Sequence, residues 1–364
     1  MKIPYVDLAY KNRSKKELVG IFKKVLDIGE YVGGREIIKF EKNISKFCNT
    51  KYAVALNSGT DALTIALHLL NVRKGDEVIT TPNSFIASTA VIVHVGAKPI
   101  FVDVLDDQNI DPSKIEKVIS NKTKVIMPVH LSGRMCQMDK IMKIANKHNL
   151  KVVEDAAQAI GSKYKNKMSG SYGQIGCFSA HPLKNLSALG DAGYLTTNNY
   201  KYYKKCKSLI NHGMENRNVI KNFGYVSRMD NLQAAFLNLK FKKLKNIIKI
   251  RRRNAKIYEK ELNKRFIKIN FERKEEFNTY HTFVIQTKNR NNLKKYLESK
   301  GVFTSIHYPI PIHLQPAAKK FGYKKGDFIN AEKQSTQILT LPINEKLRAK
   351  EIKTICKLIN KFVE

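Results

Sequence analysis

At 364 residues and 43% hydrophobic side chains, the chain is long enough for two domains and a sizeable core, yet it contains no apolar run of the roughly 18 residues that a membrane span needs. Its first seven residues lack the apolar stretch of a signal peptide, and five scattered cysteines (48, 136, 177, 206 and 356) form no CxxC pair, which argues against a disulfide framework or a zinc site and for a reducing, cytoplasmic compartment. The 66 basic against 31 acidic residues leave +35, as in a nucleic-acid binder, but the excess is mostly lysine in a chain also rich in Asn and Ile, a composition that AT-rich coding produces, so no nucleic-acid partner is expected.

Residues 1–30 precede any sheet pattern and are expected to pack near the C-terminal part of the chain. Beyond them, short apolar runs alternate with helical windows. Candidate strands occupy 52–56, 77–80, 99–104, 124–129, 151–154, 175–179 and 193–197. Helical patterns fill 61–70, 86–95, 112–119 and 138–148. This alternation predicts an α/β fold with a mostly parallel sheet covered by helices on both faces. Such sheets bind ligands at the carboxyl ends of their strands.

After about residue 230 the texture changes. A helical pattern runs from 230 towards 262, and within it the run 242–253 (KKLKNIIKIRRR) carries the densest positive charge. Leu and Ile recur there at helical spacing, so the plain reading is the solvated face of an amphipathic helix. A milder use of the overall charge is to steer an anionic substrate. The remainder, with Pro309, Pro311, Pro316 and Pro342, reads as a smaller C-terminal α/β domain. The expected division is 1–240, an N-terminal segment plus a large domain, and 241–364, a long helix plus the small domain.

Three motifs follow candidate strands and carry chemistry. Ser58, Gly59 and Thr60 precede a helix start, where backbone N–H groups and hydroxyls suit a phosphate, although Ser-Gly-Thr is also a common strand-to-helix turn. Asp155 ends the run 151–154 and is read either as a helix cap or as the partner of a protonated pyridine nitrogen. Gln158, one turn on, could reach the ring's phenolic oxygen. Lys184 lies in a small-residue loop, Cys177-Phe-Ser-Ala-His-Pro-Leu-Lys184-Asn-Leu-Ser-Ala-Leu-Gly-Asp-Ala-Gly193. Lowering its pKa by desolvation would make it a nucleophile towards an aldehyde. Ser179 could bind the same phosphate while Lys184 reaches the aldehyde carbon. Phe85 is read as a core aromatic or as a ring-stacking one. Phosphate cradle, carboxylate and lysine, in that order, are what pyridoxal 5'-phosphate (PLP) requires.

Taken together the motifs resemble the DegT/StrS-type aminotransferases, PLP-dependent enzymes that aminate keto-sugar nucleotides. The resemblance rests on Ile3-Pro-Tyr-Val-Asp-Leu8, Gly29-Glu-Tyr-Val-Gly33, Asn57-Ser-Gly-Thr-Asp-Ala-Leu63, Gly75-Asp-Glu-Val-Ile79, Glu154-Asp-Ala-Ala-Gln158, Cys177-Phe-Ser179, Lys184-Asn185, Ser227-Arg-Met-Asp230 and Tyr308-Pro309, in the family's order. It implies the aspartate-aminotransferase fold and a PLP/PMP cofactor, with L-glutamate and a nucleotide-linked keto-sugar as substrates. It also implies a homodimer with sites at the subunit interface, with no membrane and no metal. By position, Lys184 would be the catalytic Schiff-base lysine and Asp155 the partner of the ring nitrogen. Gln158 would sit near the ring oxygen and Phe85 on the ring. Ser58, Gly59, Thr60 and Ser179 would hold the phosphate.

The chain departs from the family pattern at several places. Val226 stands where an Asn usually contacts the partner subunit's cofactor phosphate, so either Asn222 or a backbone group compensates or cofactor affinity is lower. His130-Leu-Ser132-Gly replaces the usual His-Leu-Tyr-Gly, and His181 stands where Tyr is also common, a position near substrate. Lys184 keeps its own place, which disfavours the dehydratase variant that carries histidine there. The loop after Lys184 and the segment 308–316 look like members that aminate C3, with His313 and Gln315 facing the sugar nucleotide. A buried, satisfied histidine is an equal account of His313. A non-catalytic regulator that binds DNA would not need Lys184, Asp155 and Gln158 intact.

Overall fold

The computed structural model describes residues 2–11 and 15–363; Met1, residues 12–14 and Glu364, and with them the outer ends of the two expected domains, lie outside the described residues. Seven strands form the main sheet: β1 Tyr52–Leu56, β2 Glu77–Thr80, β3 Lys98–Phe101, β4 Thr123–Ile126, β5 Lys151–Asp155, β6 Ile175–Ser179 and β7 Gly193–Thr197. Their order is β1-β7-β6-β5-β4-β2-β3. The five strands from β3 to β6 run parallel, and β7 alone is antiparallel to both its neighbours. The expected mostly parallel sheet is therefore present.

The strands are buried on both faces, as a helix-covered sheet demands. In β1, Val54 and Leu56 enter a core shared with helix Gly59–Leu69, while Ala53 and Ala55 face Phe40 and Ile44 of helix Arg35–Cys48. Glu41 of that same helix accepts the Ala55 N–H at 2.9 Å, locking helix to strand.

Four elements differ from the sequence reading. The strands expected at 99–104 and 124–129 end at Phe101 and Ile126, although single backbone bonds continue beyond them, from the Val102 N–H to Thr80 and from the Met127 N–H to Ile79. The helix expected at 112–119 is two short 3-10 turns, Pro112–Lys114 and Glu116–Val118. The long helix from 230 is two helices, Asn231–Phe241 and Leu244–Glu261. They are separated where the Lys243 N–H donates back to the Lys240 carbonyl.

Beyond that break, strands Lys268–Ile269, Phe283–Gln286 and Ile338–Leu341 form an antiparallel sheet. Helices Leu244–Glu261, Arg290–Ser299 and Ala349–Val363 cover it around a second apolar core. Ile3 joins this core, bridging to Val302. Helix Lys15–Ile28 instead packs on helix Asn231–Phe241, while Ile3 and Asp7 reach the C-terminal part. No helix among the described residues is long and apolar enough to cross a membrane.

Candidate active site

The cradle forms where three strands end together. Gly193 opens β7 between Leu56 of β1 and Ser179 of β6. A Cβ on Gly193 would sit 2.2 Å from the Ser58 carbonyl carbon, and one on Gly59 would sit 2.7 Å from the Ser179 Cβ. Glycine at both places lets the turn after β1 lie directly over β7 and bring Ser179 against the helix start. Ser58 caps helix Gly59–Leu69, its Oγ accepting the Asp61 N–H at 3.0 Å. Thr60 and Ser179 are half-buried beside it. The result is a small-residue concavity at a helix N-terminus, the form of an anion site.

Asp155 is fixed by its backbone on both sides. Its N–H donates to the Pro128 carbonyl, its own carbonyl accepts the His130 N–H, and the next N–H, of Ala156, donates to Cys177 of β6. The side chain is 4% exposed. Oδ2 accepts the Ser88 hydroxyl at 2.7 Å and Oδ1 the Ala157 N–H at 3.2 Å. The neighbouring Glu154 is wholly buried and accepts the N–H groups of Gly170, Tyr172 and Gly173 at 2.7–2.9 Å. His130 Nδ1 accepts the Cys136 N–H, so its other ring nitrogen, 3.0 Å from Glu154, carries the proton and donates. Glu154 thus anchors the strand end, and Asp155 is left to face the site.

Lys184 stands in a loop that doubles back on itself. Ala180 donates to the Ala192 carbonyl and accepts from Ala188, while the Lys184 N–H donates to the His181 carbonyl at 2.8 Å. Buried Asn185 ties the loop to the Thr279 carbonyl. Burial lowers the Lys184 amine from the ordinary lysine range to about 8, and the Asp155 carboxylate, close enough to act on it, opposes that shift. A buried amine next to a carboxylate, poised near neutrality, is what attack on an aldehyde needs.

The structure adds residues that the sequence reading missed. Ser88 orients Asp155. His307 is pushed down to about 4, first by burial and then by the Lys184 charge. Tyr308 is raised by burial and by the Asp155 charge, and Gln158 hydrogen-bonds its oxygen. Tyr5 lies 5.7 Å from the His307 ring. Tyr308 and Tyr5 were visible within the family-like segments, whereas Ser88 and His307 carried no signal of their own.

Of the expected residues, Ser58, Gly59, Thr60 and Ser179 meet in the cradle, and Lys184 lies within the field of Asp155. Phe85 is 56% exposed with Tyr308 6.2 Å from its ring, so its face is open and the core reading does not hold. Gln158 is committed on one side to Ser132, whose N–H it accepts at 2.8 Å, and on the other to Tyr308. His181 is exposed at the mouth of the lysine loop and its Nδ1 accepts the Leu183 N–H. Gln315 is half-buried on the segment tied to Pro82 through the Ile312 N–H. His313 takes the buried alternative. It is 2% exposed, 3.0 Å from Glu332 and packed edge-on to Phe328, with no surface left for a substrate. Asn222 is outside the cluster, exposed beside the hairpin Met214–Asn216 and Val219–Ile220.

These residues fit PLP: a cradle that any Cβ at Gly59 would fill, an oriented buried carboxylate, an open aromatic face and an amine relieved of its charge near pH 8. No group of three or more His, Cys, Asp or Glu among the described residues could hold a metal ion.

The chain is similar to known proteins along nearly its whole length. Residues 12–360 match the DegT/DnrJ/EryC1/StrS aminotransferase family. A "dTDP-3-amino-3,6-dideoxy-alpha-D-galactopyranose transaminase" of Aneurinibacillus thermoaerophilus is 37% identical over 99% of both chains. A "Pleiotropic regulatory protein" of Geobacillus stearothermophilus is 36% identical over 100% of this chain and 99% of its own. The crystal structure of S. venezuelae DesV in complex with a ketimine intermediate superposes with a TM-score of 0.96 at 32% identity, covering 100% of this chain and 99% of that one. Similar solved structures also include forms with pyridoxamine and pyridoxal phosphate.

Proposed function

The chain belongs to the DegT/DnrJ/EryC1/StrS aminotransferase family and is PLP-dependent, and from that premise we propose that it moves the amino group of L-glutamate onto the ketone of a sugar nucleotide, a 3-keto-6-deoxyhexose on a nucleoside diphosphate. The observation that carries the reading is Lys184, lowered to about 8 and within the field of Asp155, at the sheet edge that also holds the cradle. The 3-amino sugar in the name of the A. thermoaerophilus relative supports position 3.

When bound, the cofactor supplies an aldehyde that takes up an amino group and a ring that holds the electron pair of a breaking C–H bond. The protein's residues do the rest. Ser58, Gly59, Thr60 and Ser179 hold the phosphate through N–H groups and hydroxyls. Asp155, held by Ser88, keeps the ring nitrogen protonated by ion pairing. Phe85, exposed beside Tyr308, would stack on the ring. Lys184 Nζ, uncharged above about pH 8, removes the proton from the donor's α-carbon and returns one to the sugar carbon. One amine serves both halves, so no second base is needed. His181 and Gln315 flank the opening and are proposed to meet the sugar nucleotide.

The further parts of the reading are a homodimer with interface active sites, to which Asn222 reaches across, and a cytoplasmic setting. The exposed apolar side chains Ile220, Phe223, Tyr225 and Val226 around Asn222 support the first. Five buried free cysteines support the second. The division proposed is 1–240 and 241–364; a separate apolar core around the C-terminal sheet supports it, with Ile3 crossing from the first unit into that core.

The test is to give the holoenzyme L-glutamate with a panel of 3-keto and 4-keto sugar nucleotides and weigh the products. Amination of a 3-keto sugar with release of 2-oxoglutarate is expected. Amination of 4-keto sugars alone would overturn the position, and a deoxy sugar formed without glutamate consumption would overturn amino transfer.

A further inference from the structure

Helix Leu244–Glu261 carries a feature that the transferase reaction does not use. Lys245, Lys249, Lys256 and Lys260, with Arg252 and Arg253 between them, recur on a single face of the helix, each exposed or half-exposed. Along this face runs a groove of two adjoining chambers, about 650 and about 580 Å³, sharing Lys245, Ile248 and Phe277. The first chamber is lined by seven Lys or Arg side chains against one carboxylate, Glu261. The second adds Lys46 and Lys163 and no carboxylate. None of the cradle, Asp155 or Lys184 residues lines either.

The floor is apolar. Ile248, Ile257 and Phe277 lie beneath the first chamber, and Phe47, Phe241 and Met168 beneath the second. The Arg252 guanidinium sits 3.9 Å above the Phe277 ring and is paired with Glu272. No carboxylate among the described residues pairs with Lys46, Lys245, Lys249, Lys256 or Lys260, whereas many other surface lysines do have one. A merely solvated helix face would place its cations over polar surface. Here they rim apolar surface, over the ~27 Å that an 18-residue helix spans.

We propose that this groove docks an acidic amphipathic helix of a partner protein, with apolar anchors on the floor and carboxylates against the lysine rim. The pattern is that of helix-in-groove recognition with a complementary charged rim. A second copy of this chain is disfavoured as occupant, because the exposed arm proposed to meet it, residues 220–226, lines neither chamber and a rim of seven Lys or Arg calls for carboxylates opposite. A nucleic-acid backbone would satisfy the rim but leave the apolar floor unused.

The test uses the full-length holoenzyme and a labelled helical peptide of about 18 residues, matched to the groove at ~1.5 Å per residue, with Leu on one face and Glu on its flanks. Fluorescence anisotropy is followed at low and at physiological salt. Binding should weaken with salt, and should fall at least about tenfold in the combined variant Lys245→Glu, Lys249→Glu, Lys256→Glu, Lys260→Glu. Aminotransferase turnover of that variant should match the parent, which shows that it is folded; if it is not, the corresponding Lys→Gln set takes its place. Equal binding of a peptide of the same composition scrambled to lose its apolar face would overturn the proposal. So would absence of peptide binding, or tighter binding of a DNA duplex that the same substitutions abolish.

Discussion

The Ser88 hydroxyl donates a 2.7 Å hydrogen bond to Oδ2 of Asp155, and both side chains are buried. With the Ala157 N–H on Oδ1, the carboxylate is clamped from two sides and cannot rotate freely. Removing the hydroxyl leaves one carboxylate oxygen without its donor, at a cost of roughly 1–2 kcal/mol. Ser88→Ala should therefore keep the fold but weaken cofactor binding by about fivefold to thirtyfold, the equivalent of that energy. Titration of the apo-protein with PLP, read by fluorescence, measures it. An unchanged dissociation constant would mean that Ser88 does not position Asp155.

Lys184 sets the pH dependence of cofactor capture. Its pKa is lowered to about 8, so the reactive free amine dominates above that pH and falls about tenfold per unit below it. The rate of PLP uptake by the apo-protein should rise with pH and level off above about 8. Lys240 is likewise lowered to about 8 by burial, so pKa alone does not single out one lysine. Position does, because Lys184 lies within the field of Asp155, whereas Lys240 is shifted by burial alone. Borohydride reduction of the holoenzyme followed by peptide mapping should place the label on Lys184; label on Lys240 would refute the assignment.

The sheet and most of the site were legible because the signals were local. Short apolar runs ended in Ser58, Asp155 and Ser179, and each functional residue followed its strand within a few positions. What was lost depended on distant pairing. His313 read equally as facing a substrate or as buried, and what decides between them, Glu332 and Phe328, comes from another segment. Val102 and Val104 extended the third strand pattern, yet Val104 packs off the sheet against Ile312 and Phe328. An apolar run does not reveal whether it fills sheet or loop core. The break after Phe241 was masked by Lys240, Lys242 and Lys243, good helix formers that hide a turn. Ser88 and His307 act through partners 67 and 33 positions away, Asp155 and Thr340.

The two cradle glycines should behave differently from ordinary helix or strand glycines. A Cβ at Gly193 meets backbone, 2.2 Å from the Ser58 carbon, whereas one at Gly59 meets the Ser179 Cβ at 2.7 Å and its Cα at 3.0 Å. Overpacking of this kind typically costs about 1–3 kcal/mol, more where backbone must move. Gly193→Ala should lower the denaturation midpoint clearly. Gly59→Ala should do so less, while loosening the phosphate site enough to weaken PLP binding. Equal stability of all three proteins in urea would show that the cradle is not tightly packed.

His307 makes the apo-protein acid-sensitive. Its folded pKa is depressed to about 4, against an ordinary value of 6.5. Between those values the unfolded chain binds a proton that the folded one refuses, so stability is full above about 6.5 and is lost as pH falls towards 4. From pH 7 to pH 5 the loss amounts to about 2 kcal/mol. His307→Gln keeps a polar group beside Thr340 without titrating, so its urea midpoint should fall less over the same interval. Parallel pH profiles for the two proteins would show that His307 is not the sensor.

Phe223 tests the proposed dimer and its link to the cofactor together. Its side chain is fully exposed, and Ile220, Tyr225 and Val226 around it are exposed as well. The segment is nevertheless well anchored, since Tyr225 and Ser227 donate to the carbonyls of Leu209 and Ile210, and Gly213 leaves no room for a Cβ against the Asn222 carbonyl. A rigid arm that presents apolar side chains to water is stabilised by covering them, at about 25 cal/mol per Å². Phe223→Asp removes that gain and adds a charge that must be desolvated on association. Sedimentation should show the parent as a dimer and the variant shifted towards monomer, with unchanged far-ultraviolet circular dichroism. Because Asn222 is proposed to reach the neighbouring subunit's phosphate, PLP affinity should drop in step with dissociation and recover at high protein concentration. A variant that stays dimeric with undiminished PLP affinity would remove the arm from the interface, and one that dissociates without losing PLP would remove Asn222 from the partner's site.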